Sequence, residues 1–552
     1  MKKYVADFET TTDENDIRVW AYSVVNIDTL EVEDVGSDIE GFINFISNKS
    51  TKVYFHNLKF DGEFILYYLL KNGFKNNDTK ETGTFSTLIS DTGEFYSIVI
   101  YFKKYNKRYK KCEILDSFKK LPFSVDNIAK SFNLDICKLK IDHNIKREKG
   151  HIITDNERKY VINDSMIVAQ ALQIQYKKGL KKMTIGSDAL NQYKESIKKV
   201  YFNKFFPVFD AEIDRDMRQA YKGGFTWLNP KYKNIDVYGI KYDVNSLYPS
   251  VMYDKLLPYG IPLVFSGKYV YDEEYPIYIQ RIRCEFELKK GHIPTIQLKN
   301  NRAFIQTQYL SSSNGEIVDL TLSSVDMDLF IDHYNIYNLE YGNGYKFKAC
   351  KGFFKDYINK WMKIKQTTEG AEKTIAKLML NSLYGKFATN PIKANKYPYL
   401  EEDIVKYVTM PPTINAPVYV PMGIFITAYA RDITIRTAQS VYHRFIYADT
   451  DSIHLYGYDE PKIKIHPSKL GYWKCEGKFT KGRYLRAKTY INTINEHINI
   501  TCAGMPSNVK DHVNYNNFKY GAVFNGKLLP VRKPGGILLT PFDFTIKYDK
   551  IE

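Results

Sequence analysis

Short apolar runs recur along the chain with acids set into them. Tyr4-Val-Ala-Asp7-Phe-Glu9-Thr10 reads as a strand that begins almost at the first Met, and its period of two places Asp7 and Glu9 on one face. Val53-Tyr-Phe-His56-Asn57 is a second apolar strand, with Leu58-Lys-Phe60-Asp61 following it. Ile240-Lys-Tyr-Asp243-Val-Asn-Ser-Leu-Tyr248-Pro-Ser250 delivers Asp243 at a strand end, because Pro249 stops the segment from continuing as a central strand. Phe445-Ile-Tyr-Ala-Asp449-Thr-Asp451-Ser-Ile-His454 sets two carboxylates one residue apart in an aromatic and β-branched run, so an extended backbone points both to one side.

Elsewhere the period changes to that of a helix. Lys373, Lys377, Asn381 and Tyr384 recur at i, i+4, i+8 and i+11, which puts two cations, an amide and a ring on one face. Such a stripe suits a triphosphate, a sugar and a base; an amphipathic helix with a solvated lysine edge has the same pattern. Gly385 is a plausible helix end, although Lys386-Phe387 can extend it. A second helix runs through Tyr160, Asp164, Ile167, Ala171 and Leu172, with Tyr160 and Asp164 one turn apart. Two inserts separate these pieces. One, from about Leu256 to Gly352, holds strand-like Ile282-to-Leu288; the other, Pro391 to Met422, is rich in proline, and segments of such length inside an enzyme are usually functional.

Composition narrows the partners. A chain of 552 residues, 44% hydrophobic, holds two or more domains with substantial cores. Its net charge of +16 calls for a polyanionic partner, a nucleic acid or else an anionic membrane surface. No apolar run approaches the roughly 18 to 20 residues of a spanning helix, and no signal peptide precedes the first strand. The six cysteines lack paired Cys-x-x-Cys spacing, so zinc and iron–sulfur chemistry is not expected and the thiols read as reduced.

Clustered acids repel each other unless a cation neutralises them. Asp243, Asp449 and Asp451 together can hold two hard divalent cations through oxygen and leave positions open for phosphate, though each alone also fits a solvated turn. Asp7, Glu9, Asp61 and Asp164 with Tyr160 fit a two-metal hydrolase in which the phenol positions the nucleophile, though scattered surface acids account for any one of them.

Asp243-to-Pro249, Lys377-to-Gly385 and Tyr447-to-Ser452 resemble, in that order, motifs A, B and C of family B DNA polymerases. Lys377-Leu-Met-Leu-Asn-Ser-Leu-Tyr-Gly-Lys-Phe387, Tyr221-Lys-Gly-Gly224, Lys488-Thr-Tyr490 and His56-Asn-Leu-Lys-Phe-Asp61 look like the protein-primed replicative polymerases of phages, over nearly the whole chain. The four N-terminal acids with Tyr160 look like the ExoI, ExoII and ExoIII motifs of a DEDD-type 3′-5′ proofreading exonuclease.

The resemblance implies an α/β and α+β multidomain fold. Residues 1–184 would form an RNase H-like DEDD exonuclease domain, and 185–552 a right-hand polymerase domain with two insertions. The palm would take about 185–255, 353–356 and 423–478, the fingers about 357–390 and the thumb about 479–552. The inserts would be TPR1 at about 256–352, docking a terminal protein, and TPR2 at about 391–422, closing a ring on DNA for processivity and strand displacement.

Metal ligands implied are Asp243, Val244 and Asp451 in one site, with Asp449 in a secondary catalytic role, and Asp7, Glu9, Asp61 and Asp164 in the other. Each site would take two Mg²⁺ ions, with Mn²⁺ able to substitute. Tyr160 would orient water and Lys138 would contact the scissile phosphate region, with Lys140 an adjacent rival. The incoming dNTP would meet Tyr248, Lys365, Lys373, Lys377, Asn381 and Tyr384. Single-stranded primer ends would be gripped by Thr10, His56, Asn57, Phe60, Phe64, Ser117 and Phe123, with aromatic rings available for base stacking. Template-primer DNA would lie on Tyr221, Gly223, Gly224, Lys488 and Tyr490. Phe118 and His143 depart from the relatives' pattern, standing where an aliphatic residue and a tyrosine are expected. The expected protein is a monomer off the membrane, in the cytoplasm of an infected bacterial host, using DNA, dNTPs and a terminal protein. A family B polymerase with ordinary primers, and a non-catalytic nucleic-acid-binding relic, are the alternatives; retention of every motif acid speaks against the relic.

Overall fold

The computed structural model describes residues 1–105, 108–143, 145–299 and 305–548, so 300–304 of the first insert and 549–552 of the C-terminal segment lie outside it. Lys2–Thr10 stands third in an eight-stranded sheet. It pairs antiparallel with Val19–Asn26, Asp7 opposite Ser23, and parallel with Thr51–Phe55. Every residue of Val19–Asn26 is buried because helices cover both faces: the long helix Asp155–Lys177 meets Ser23, and Ile39–Ser47 meets Tyr22 through Phe42. A capping box fixes where the helix begins: Thr154 Oγ1 accepts from the Glu157 N–H while the Glu157 carboxylate reaches back to the Thr154 N–H.

A second sheet, seven strands and wholly antiparallel, is assembled from distant segments. Asp236–Val244 lies at its centre between Trp473–Arg486 and Ser452–Tyr456, and Phe445–Asp449 and Thr226–Leu228 complete that side. Asp243 faces Ser452 in register. Helices Leu247–Asp254, Lys355–Thr367, Gly370–Phe387 and Val420–Ser440 pack around this sheet, the last with most of its side chains buried. One apolar cluster runs from Val5 and Ile167 through Tyr193 to Phe387 and Ile453, so the core is continuous across residue 184.

The first insert is a four-stranded sheet of Leu257–Ser266, Tyr334–Cys350, Ile277–Leu288 and Val318–Ser323, with the helix Ser324–His333 on it and an apolar core around Phe286 and Phe330. The second insert forms small hairpins: Ile392–Lys393 pairs with Thr413–Ile414, and Lys396–Glu401 with Ile404–Thr409. The helix Val420–Ser440 has already begun before Met422. At the C-terminal end Val523–Lys533 and Gly536–Thr545 make a long hairpin.

One open reading is settled and one expectation changes. The helix that starts at Gly370 does not stop at Gly385 but runs to Phe387, whose ring is fully buried against Tyr193, Phe206 and Phe354. Asp449 and Asp451 do not share one extended strand: the strand ends at Asp449, Thr450 adopts a left-handed φ of 59°, and Asp451 donates its N–H to the Asp449 carbonyl in a tight turn.

Candidate active sites

The turn sorts the two acids. Asp449 is already engaged: Thr226 Oγ1 donates to its Oδ1 at 3.0 Å, Tyr447 OH lies 3.4 Å from Oδ2, and Lys488 Nζ stands 3.6 Å from Oδ1. Asp243 and Asp451 have no comparable set of donors among the described residues; Asp243 pairs in register with Ser452, the residue after Asp451, and the Val244 N–H donates to the Asp451 carbonyl. Burial, then Asp451 and Glu476, push Asp243 up to about 7; burial also raises Asp451. Free carboxylates so placed are held apart from their preferred charge state, which a cation would restore. Val244 is buried beside them, and only its backbone carbonyl is a candidate ligand.

Over this pair stands the helix Gly370–Phe387. Lys377 and Asn381 are exposed on it, while Lys373 and Tyr384 are half-buried. Lys365, on the neighbouring helix, donates from Nζ to Ser246 Oγ at 2.8 Å; burial and the nearby Lys377 lower its pKa. Tyr248 stacks on Tyr384 with ring centres 4.0 Å apart and planes 16° from parallel. The two rings therefore form one slab.

The strand Lys2–Thr10, the first turn of Leu58–Lys71 and the helix Asp155–Lys177 bring the other acids together. Burial, reinforced by Asp164, pushes Asp7 up to about 7, and Glu9 and Asp61 are driven well above the carboxylate range by burial and by Asp7. Lys138 forms an ion pair with Asp164 Oδ2, while Asp164 Oδ1 is buried without a hydrogen-bond partner among the described residues. Lys138 Nζ also lies 5.4 Å from the Tyr160 ring centre. Among the described residues no three acidic, His or Cys side chains already form a closed coordinating group, as expected for mutually repelling carboxylates. An orphaned buried oxygen among raised acids fits divalent cations, with substrate oxygens completing their shells.

His143 reaches into this cluster, its Nδ1 3.8 Å from Glu9 Oε2 and its ring edge-on to Tyr160 at 6.0 Å. Phe118 stands 39% exposed with its ring 5.6 Å from His56. The residues expected to grip single strands divide. Asn57, with φ 70°, is exposed at the helix start and donates its N–H to Asp116 Oδ1 at 3.0 Å. Thr10, Phe60 and Phe123 are partly exposed. His56 is tied at both nitrogens, to Ser117 Oγ at 2.9 Å and the Phe123 carbonyl at 2.7 Å. Ser117 and Phe64 are buried, Phe64 against Gly536, where an added Cβ would fall 2.5 Å from its ring. These two lie beneath the surface, in contact with their neighbours.

Around Tyr221-Lys-Gly-Gly224 the structure adds residues that sequence reasoning missed. Arg431 donates to the Lys222 and Gly223 carbonyls at 2.7 and 2.9 Å and grips Asp326 of the first insert through two nitrogens, the shortest contacts at 2.8 Å. An arginine inside the apolar run Ile424-to-Ile435 was the available signal. Gly224 approaches Thr450 so closely that a Cβ would sit 2.6 Å from its Oγ1, whereas Gly223 faces open space. Lys488 donates its N–H to Tyr447 OH at 2.9 Å, and Tyr490 packs among Tyr447, Tyr484 and His454.

Acids on an antiparallel sheet beneath a lysine-lined helix suit the transfer of a nucleotide from its triphosphate, which is the chemistry of polymerases. Residues 43–161 and 144–470 match the family described as DNA polymerase type B, organellar and viral. The DNA polymerase of Bacillus phage phi29 is 48% identical over 99% of both chains, and that of Streptococcus phage Cp-1 is 34% identical over 99% of this chain and 98% of its own. The solved structure of phi29 DNA polymerase complexed with primer-template DNA and incoming nucleotide substrates superposes with a TM-score of 0.95, at 48% identity, over 99% of this chain and 100% of that one. The phi29 enzyme complexed with single-stranded DNA gives 0.94 at 47% identity, over the same shares. The chain belongs to the type B DNA polymerases and is a DNA-directed DNA polymerase of bacteriophage kind.

Proposed function

We propose that this polymerase is protein-primed, processive and strand-displacing, and that it carries a 3′-5′ proofreading exonuclease. The observation that carries the reading is the presence of two separate acid clusters, Asp243 with Asp451 at the seven-stranded sheet, and Asp7 and Glu9 of the eight-stranded sheet with Asp61 and Asp164 of the helices packed on it. Primer-template DNA, single-stranded 3′ ends and dNTPs are its substrates, a proposal supported by the ligands of the phi29 structures. Asp243, Asp451 and the Val244 carbonyl would hold Mg²⁺, and the four N-terminal acids would hold a second pair. Bound there, the cations supply charge neutralisation for phosphate and an activated oxygen nucleophile.

The chain's own groups do the rest. Lys365, Lys373 and Lys377 neutralise the triphosphate, and Asn381 and Tyr384 hold the nucleotide against the helix. Lys138 steadies the scissile phosphate of a frayed 3′ end, and Tyr160 orients water beside Asp164. The insert sheet Leu257–Cys350 is the platform for a terminal protein that offers a hydroxyl as first primer, and the small hairpins of 391–422 with the C-terminal hairpin clamp the duplex.

Purified protein, singly primed circular DNA, dNTPs and Mg²⁺ test the whole reading, since product longer than one circle without a helicase reports polymerisation and displacement together. Products that stop at one circle remove the displacement claim. Tyr248→Val should raise ribonucleotide incorporation relative to dNTP by roughly a hundredfold, because removing the stacked ring opens space for a 2′-hydroxyl. An unchanged ratio moves the steric gate to Tyr384.

A further inference from the structure

One buried carboxylate, outside both acid clusters, joins three parts of the chain. Glu63 lies two residues past Asp61 on the helix Leu58–Lys71 and is 1% exposed. Arg532 of the C-terminal hairpin donates from Nε to Glu63 Oε1 at 2.8 Å. Tyr407 of the second insert donates its hydroxyl to Glu63 Oε2 at 2.9 Å. The Arg532 guanidinium also stands 4.5 Å from the Tyr407 ring centre, so the three side chains meet pairwise.

The surroundings are built for the contact. Val405, Ile537 and Leu538 are buried in the apolar cluster of the N-terminal sheet. The turn of the C-terminal hairpin seats directly on that body: an added Cβ at Gly535 would fall 2.1 Å from the Ile17 carbonyl. On the rim, Asp403 accepts from Lys71 Nζ at 2.5 Å and Tyr67 OH at 3.0 Å. A desolvated carboxylate is tolerated only when its oxygens are satisfied. Each oxygen of Glu63 is satisfied by a different distant segment, so both must be seated together.

We propose that Glu63 is a positioning residue, the latch that closes the DNA channel by pinning the second insert and the C-terminal hairpin onto the N-terminal domain. The proposal rests on reading those two hairpins as a clamp. With the latch closed, DNA leaves only by sliding off an end; with it open, DNA leaves sideways.

The measurement is product length on singly primed circular DNA under single-binding conditions, with excess competitor DNA as trap. Arg532→Ala should shorten products about tenfold, while one-nucleotide addition to a short primer and degradation of single-stranded DNA keep the parental rate. Glu63→Gln should shorten them too, and Arg532→Lys should recover part of the length. A parent that is itself distributive would sink the clamp reading; a processive parent matched by Arg532→Ala and Glu63→Gln would sink the latch alone.

A topological arm does not depend on stability. In a background with Cys137→Ser and Cys475→Ser, the exposed cysteines, Arg532→Cys and Tyr407→Cys can be bridged by a bis-maleimide. Bridging before DNA is added should block use of closed circles but spare linear primer-template. Equal use of both by the bridged protein would show that DNA does not pass this point.

Discussion

Asp243→Ala or Asp451→Ala should lower primer extension by at least about a thousandfold while degradation of single-stranded DNA continues at the parental rate. Asp243 lies on the central strand, Asp451 raises its pKa from the adjacent turn, and neither has the donors that occupy Asp449, so each oxygen removed is one that substrate-bound cations would need. Extension surviving at a few per cent of parent would take the residue out of the metal site. Loss of degradation as well would mean misfolding, which a melting curve separates.

The mirror experiment should give the mirror result: Asp7→Ala with Asp61→Ala abolishes degradation and leaves extension intact, raising the error frequency of the product. Retained degradation would displace both residues from the hydrolytic cluster. A pH effect follows without metal. Burial and Asp164 raise Asp7 to about 7, so the folded chain holds a proton that the unfolded chain, with an ordinary carboxylate, has released. Stability from this group is thus full below the unfolded pKa and lost as pH rises to about 7. In chelator at pH 8, Asp7→Asn should melt higher than the parent, and the difference should vanish near pH 4. A lower melting temperature for Asp7→Asn at pH 8 would contradict the burial argument.

Much of this site was readable because the geometry was local. Asp7 and Glu9 sit two apart in one strand of nine residues whose register with its neighbour holds from Tyr4 to Glu9, and Lys373, Lys377, Asn381 and Tyr384 sit in one continuous helix. Asp449 and Asp451 were misjudged for a local reason as well: a left-handed Thr450 leaves no mark on an apolar run, and Thr is an uncommon choice for it. Phe64 and Ser117 carried the right motif, but only packing reveals that they face inward. Arg431 offered one clue, a charge inside an apolar run, but its partner Asp326 lies in an insert whose sequence says nothing of where it docks; Glu63 was beyond reach, since its partners lie hundreds of residues away.

The interleaving of strands in the seven-stranded sheet sets an order of events during synthesis. The eight-stranded sheet is complete once residue 116 has left the ribosome, and its covering helix once residue 177 has. The seven-stranded sheet cannot close until Ser452–Tyr456 and Trp473–Arg486 arrive to flank Asp236–Val244. At the pace of translation that is a wait of roughly 10 to 60 seconds, during which the emerging half presents an unfinished sheet edge and an uncovered apolar face. Glu63 waits through part of this interval for Tyr407 and beyond its end for Arg532, so its burial records the arrival of the last hairpin. A nascent chain stalled after residue 500 should therefore already hold a protease-resistant N-terminal body but leave that carboxylate open to water.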